Sequence, residues 1–171
     1  MTEALLSRAA PHANTIAIRA RAAKTSAVAA LACGALLLGG CGSSALSSTQ
    51  LRRKAGRICK TAQRSTESIP VPTDPARAQR FLHHGISALA PQIAALHKLN
   101  ASSDLEHAYA TALRATDHEL ALLRSALRGL NAGNDPVVAI KTLQDELGPA
   151  EDAAARAWHE VDVPACTTVM G

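Results

Sequence analysis

The chain has 171 residues, 47% of them hydrophobic but only 2% aromatic, and a formal charge of +4. Alanine and leucine dominate, while the β-branched and aromatic residues that favour strands are scarce, which argues against a sheet and for an all-α fold. With one Phe, one Tyr and one Trp, the core is built from thin side chains and its helices should lie close together.

Arg8, Arg19, Arg21 and Lys24 precede an uncharged run from Thr25 to Gly40. A basic head, a short apolar stretch and small residues before a cut site are the parts of an export signal. Sixteen residues make about 24 Å of helix, short of the ~30 Å hydrocarbon core, so the run does not read as a membrane span. It closes on Leu38-Gly39-Gly40-Cys41, followed by Gly42, Ser43 and Ser44. Leu three residues before a cysteine, with small residues between, resembles the lipobox of bacterial lipoproteins. The resemblance implies cleavage before Cys41, acylation of its thiol with palmitate-type chains, and a lipid-anchored place on the extracytoplasmic face of the cell membrane. Residues 1–40 are then a removed signal, residues 41–48 the lipidated cysteine and a Ser-rich tether, and residues 49–171 the folded domain.

The 131 residues from Cys41 onward suffice for one domain with a core. Leu51, Ala55, Ile58 and Ala62 recur at helical spacing, giving a first helix over about 49–67. The prolines of Ile69-Pro70-Val71-Pro72 end it. Asp74-Pro75 opens a second helix over about 75–99, with Asp as N-cap and Pro at the first position. Its apolar line is Leu82, Ile86, Leu89, Ile93, Leu96, and Pro91 within it predicts a kink, not a stop. Ser103 and Glu106 form a capping-box pair for a third helix over about 103–131. Its line runs Leu105, Tyr109, Ala112, Thr116, Leu120, Leu123, Leu127, Leu130, and Asn131-Ala132-Gly133 supplies a left-handed end. Asp135-Pro136 starts the fourth, over about 135–161, with the line Val137, Ile140, Leu143, Leu147, Ala150, Ala154, Ala157, Val161 and a second kink at Gly148-Pro149.

Four amphipathic helices with short connections predict an antiparallel up-down-up-down four-helix bundle. Cys33 falls in the signal and Cys41 takes the lipid, which leaves Cys59 and Cys166. Outside the cytoplasm an even remainder reads as a disulfide, with two separate buried thiols as the alternative. Cys59 lies roughly 15 Å up the first helix, and the tail after Val161 can span about 16 Å, so the bridge fits if the first helix packs on the fourth. The lipobox, the tether, the Ile58-Cys59 pair and a last cysteine just past the final helix look similar to small actinobacterial lipoproteins. This resemblance covers the whole chain, although only the lipobox is specific. It implies a location and a helical fold, and no catalytic residues.

Residues 51–64 carry Arg52, Arg53, Lys54, Arg57, Lys60 and Arg64 with no acid, whereas eight basic and thirteen acidic residues follow from Ser65. Without the signal the protein is near neutral, so the sequence pI of 9.1 is no nucleic-acid footprint. A basic helix over 51–64, close to a lipid anchor, reads as lying on anionic headgroups.

His97, His107, Tyr109, Trp158 and His159 are expected at one end of the bundle. They would either line a pocket for a small ligand or metal, or cap the core with their polar tips wet. Asp104 and His107 make one carboxylate-x-x-His pair, but a bundle metal site needs two, so no metal or cofactor is expected. The remaining helical acids alternate with basic residues as a solvated face does. No nucleophile elbow, phosphate loop or zinc-protease motif is present, and the chain reads as a non-enzyme. The sequence thus predicts a binding or scaffolding role at the cell envelope, with an envelope protein as partner. A small-ligand or metal-binding lipoprotein using the His/Tyr/Trp end is the alternative.

Overall fold

The computed structural model describes residues 45–167, within a compact unit Cys41–Gly171. The expected signal, with Leu38, Gly39 and Gly40, and Cys41, the expected lipidation residue, lie outside the described residues. Four helices form: α1 Ser48–Glu67, α2 Ala78–His97, α3 Glu106–Asn131 and α4 Pro136–Val161, with 3-10 turns at Pro75–Arg77 and Pro164–Cys166. No β-strand occurs among the described residues, and the fold is all-α as expected. An isolated bridge pairs Leu46 with Ala101.

Helix starts follow capping chemistry, with three differences from expectation. Ser47 caps α1 in a capping box with Gln50, and Leu46 N–H donates to the Asn100 carbonyl at 2.8 Å. Residues 46–48, read from the sequence as the end of a tether, thus take part in the start of α1, because a serine that reads as linker also satisfies the free N–H groups of a helix start. The expected Ser103–Glu106 box does not form: α3 is preceded by Leu105 and has no side-chain cap. The neighbouring Asp104 instead accepts from Ser48 Oγ at 2.6 Å, tying this corner to the start of α1. Asp74 and Asp135 cap as expected, accepting from Ala76 N–H at 2.9 Å and Val138 N–H at 3.0 Å. The first turn after Asp74 is 3-10, so the α-helix proper begins later, at Ala78. Pro91 and Pro149 both lie inside unbroken helices. Gly133, at φ +90°, takes the left-handed position after α3, and Asp162, at φ 62°, does so after α4.

The core divides along its length into three clusters. The first gathers Leu51, Ala55, Cys59, Ala112, Trp158 and Val161. The second holds Ala62, Leu89, Ile93 and Leu120, and the third Ala78, Leu82, Leu130 and Leu143. α1 has 20 residues against 26 for α3 and α4, and none of them joins the third cluster. α1 adds no apolar side chain to that end and borders it only through Thr66 and Glu67; Val137 is exposed although its periodicity placed it on the apolar line. α1 packs on α2, α2 on α3, and α3 most extensively on α4.

α1 is also covered by the tail turn Pro164–Cys166. It reaches the end of α4 through Arg52, whose Nε donates to the Val161 carbonyl at 2.9 Å. The disulfide joins Cys59 to Cys166 with Cα atoms 5.1 Å apart, closing 107 residues of sequence separation. A loop of that size corresponds to about 4–5 kcal/mol of stabilisation on the chain-entropy model.

Leu120→Ala should cost ~2–5 kcal/mol in urea unfolding, as a core truncation. Val137→Ala should stay within about 0.5 kcal/mol. Non-reducing peptide mapping should recover Cys59 and Cys166 as one linked pair, and replacing both by Ser should lower the unfolding midpoint.

Candidate functional site

Tyr109 on α3 and Trp158 on α4 are both buried, and their rings meet edge to face at 5.7 Å and 74°. The Tyr109 hydroxyl donates to the Leu96 carbonyl at 2.8 Å. Trp158 Nε1–H donates to Thr116 Oγ1 at 2.9 Å, and the Thr116 hydroxyl donates on to the Ala112 carbonyl at 3.0 Å. Both polar tips are therefore satisfied inside the bundle and are not wet, a correction to the capping expectation. Burial holds the Tyr109 phenol well above the ordinary tyrosine value.

The histidines do not join them. His97, His107 and His159 are exposed, and His97 Nε2 lies 2.9 and 3.0 Å from the two Asp117 carboxylate oxygens. Both rings are packed as core, Trp158 also bordering a small internal cavity, and the imidazoles lie outside. Among the described residues no group of three or more His, Cys, Asp or Glu is placed to hold a metal ion.

What sequence reasoning missed is Glu119. Read as part of a solvated face, it is 4% exposed. It follows Thr116 by three and Ala112 by seven, positions that share one face of a helix. That register was the available signal, and it was outweighed by the rule that carboxylates stay outside. Glu119 faces a cavity of ≈20 Å³ whose wall also holds Thr116, Glu151, Gln92, Trp158 and the Cys59–Cys166 bridge. That volume is room for about one water. Among the described residues no donor bonds the Glu119 carboxyl, and its oxygens are not fully sealed from solvent: the buried side-chain oxygen left without a partner is Ser102 Oγ. Burial first, and the nearby Glu151 second, push it up to about 8. Glu151 is itself raised, by burial and then by Asp152.

A second feature lies outside. Arg53, Arg57, Lys60 and Arg64 are exposed at i, i+4, i+7 and i+11 of α1. At about 100° per residue they form one stripe about 16 Å long, on the side opposite the buried Leu51, Ala55, Cys59 and Ala62. Glu67 is the sole acid of α1. Among the described residues no ion pair involves the four. Arg52 is turned aside to the end of α4, its Nε 3.7 Å from Asp162, so the basic surface is narrower than the six residues of the sequence. Among the described residues no helix is long and apolar enough to cross a membrane.

The chain matches no protein-family model, no curated protein and no solved structure.

The raised value of Glu119 makes folding pH-dependent. Its contribution to stability is fully present below the ordinary value of 4.5 and is lost as pH rises towards about 8, because the unfolded chain releases the proton first. Glu119→Gln should therefore match the parent at pH 4 and exceed it at pH 8 by on the order of a few kcal/mol, read by urea unfolding at both pH values.

Proposed function

We propose that this is a lipid-anchored protein of the cell envelope, held on the extracytoplasmic face through Cys41, which binds or scaffolds and does not catalyse. The observation that carries the reading is the stripe of Arg53, Arg57, Lys60 and Arg64. It stands on the helix that begins seven residues after Cys41, opposite the core and without acidic partners among the described residues. Anionic headgroups attract such charges by about 1 kcal/mol each near the surface. The anchor would hold this helix within that range, and the stripe would lay α1 along the bilayer. The lipobox at Leu38-Gly39-Gly40-Cys41 and a disulfide suited to an oxidising compartment support the same location. So does the resemblance to small actinobacterial lipoproteins.

The up-down-up-down order of the bundle belongs to this reading. It is supported by the Tyr109–Leu96 bond, which links the start of α3 to the end of α2. The Arg52–Val161 bond likewise links the start of α1 to the end of α4. In that order the start of α1, the end of α2, the start of α3 and the end of α4 share the end nearer the anchor. The small-ligand reading at His97, His107 and His159 gains nothing from the geometry, because Tyr109 and Trp158 spend their polar atoms within the core.

Cys41→Ser should leave an uncleaved precursor that takes up no labelled palmitate; normal maturation of this variant would sink the proposal. Reversing the stripe with Arg53→Glu, Arg57→Glu, Lys60→Glu and Arg64→Glu should weaken binding to phosphatidylglycerol vesicles at least tenfold at low salt. Binding to phosphatidylcholine vesicles should stay as it was.

A further inference from the structure

A second basic surface lies away from α1, in the furrow between the start of α2 and the end of α3. An open cleft of ≈420 Å³ there is lined by Arg77, Gln79, Arg80 and His83 on the α2 side and by Leu127 and Asn131 of α3. Arg77 and Arg80 stand three residues apart, so two guanidiniums share one wall, an arrangement that is unfavourable until an anion comes between them. Helices usually place acids beside such arginines. α2 contains no acid, and α3 contains none after Glu119. Neither Arg77 nor Arg80 has an ion pair or a side-chain hydrogen bond among the described residues. The nearest acid along the chain, Asp74, accepts from the Ala76 N–H at 2.9 Å and borders a different groove.

The rest of the wall suits the same charge. At the end of α3 the carbonyls of Arg128, Gly129 and Leu130 are already taken by the N–H groups of Ala132, Gly133 and Asn134, which blunts their repulsion of an anion. Gln79 Nε2 donates to Asn131 Oδ1 at 2.6 Å, joining the two helices across the furrow. That bond leaves the Asn131 NH2 as a donor and the Gln79 carbonyl as an acceptor. Two forked guanidiniums, an imidazole and an amide NH2 around one cleft are a donor set for a tetrahedral oxyanion. The volume is that of a small-molecule site and exceeds what a bare ion fills. We propose that this cleft binds a phosphoryl group, free or carried on a small polyol. Arg77 and Arg80 grip its oxygens, His83 and Asn131 add N–H donors, and the Gln79 carbonyl accepts from a hydroxyl of the attached polyol. The site is separate from the α1 stripe and does not rest on the lipid anchor.

Purified full-length protein at pH 7.5, with ionic strength held constant by sodium chloride, is titrated calorimetrically with inorganic phosphate and, separately, with glycerol 3-phosphate. The expected result is saturable binding at one site per chain. Arg77→Ala and Arg80→Ala should each weaken it at least tenfold, as loss of a charge-assisted bond implies. Both side chains are exposed, so far-UV dichroism and the unfolding midpoint should be retained. Arg80→Lys keeps the charge and loses the fork, and should weaken binding severalfold. Arg156→Ala removes an exposed charge from α4 and should leave the affinity as it was. Affinities for the two probes within tenfold of one another assign the site to the phosphoryl group alone, whereas at least tenfold tighter binding of glycerol 3-phosphate assigns it to a polyol ester. A response to both probes that does not saturate would overturn the proposal. So would equal weakening by Arg80→Ala and Arg156→Ala, because general positive charge would then account for the attraction.

Discussion

The indole of Trp158 is the largest side chain fully enclosed in the protein, and much of the architecture follows from accommodating it among alanines. Ala55, Ala112, Ala154 and Ala157 share its cluster. Side chains this small let helices approach closely, and one broad ring then fills the space that several leucines would otherwise occupy. The ring brings a polar N–H inside, which must be satisfied, and Thr116 supplies the acceptor from the facing helix. Thr116 passes its own proton to the turn before it. Tyr109 completes the arrangement by donating to the end of α2. Two aromatic residues thus tie three helices together through directional bonds, where an apolar core alone would leave rotation and register loosely specified.

α1 is held differently. It is six residues shorter than α3 and α4, and it contributes no residue to the third cluster. The tail turn lies against it, and the Cys59–Cys166 bridge pins the turn in place. The bridge therefore does more than constrain the unfolded chain: it supplies a cover for a helix whose own apolar face is narrow. With one side committed to the core and the tail, the opposite side of α1 is free to carry a run of like charges. Repulsion among them is tolerable there because exposed like charges three or four residues apart cost only about 0.2–0.5 kcal/mol per pair.

Glu119 sits just below Thr116 on the same face of α3, and its burial works against folding once the carboxyl ionises. Leucine at that position would extend the apolar line from Leu120 without conflict. A carboxyl instead lowers stability as the pH approaches neutrality.

The sequence by itself determined the helices, because periodicity and caps act within a few residues. The lines through Leu82, Leu89, Ile93 and Leu96 and through Leu143, Ala150, Ala154 and Val161 are buried as their spacing required, and Asp135-Pro136 starts α4 where capping chemistry put it. Cysteine arithmetic paired Cys59 with Cys166 once an oxidising compartment was assumed. Tertiary structure alone decided the rest, since it depends on which distant groups meet. Ser103 lost its capping role while Asp104 was drawn to Ser48. Val137 kept its periodicity but found no neighbour to cover it. Tyr109 and Trp158 turned inward because Leu96 and Thr116 lay within reach of their donors. Glu119 was enclosed because it shares the Ala112–Thr116 face of α3, over which side chains of three other helices and the tail meet.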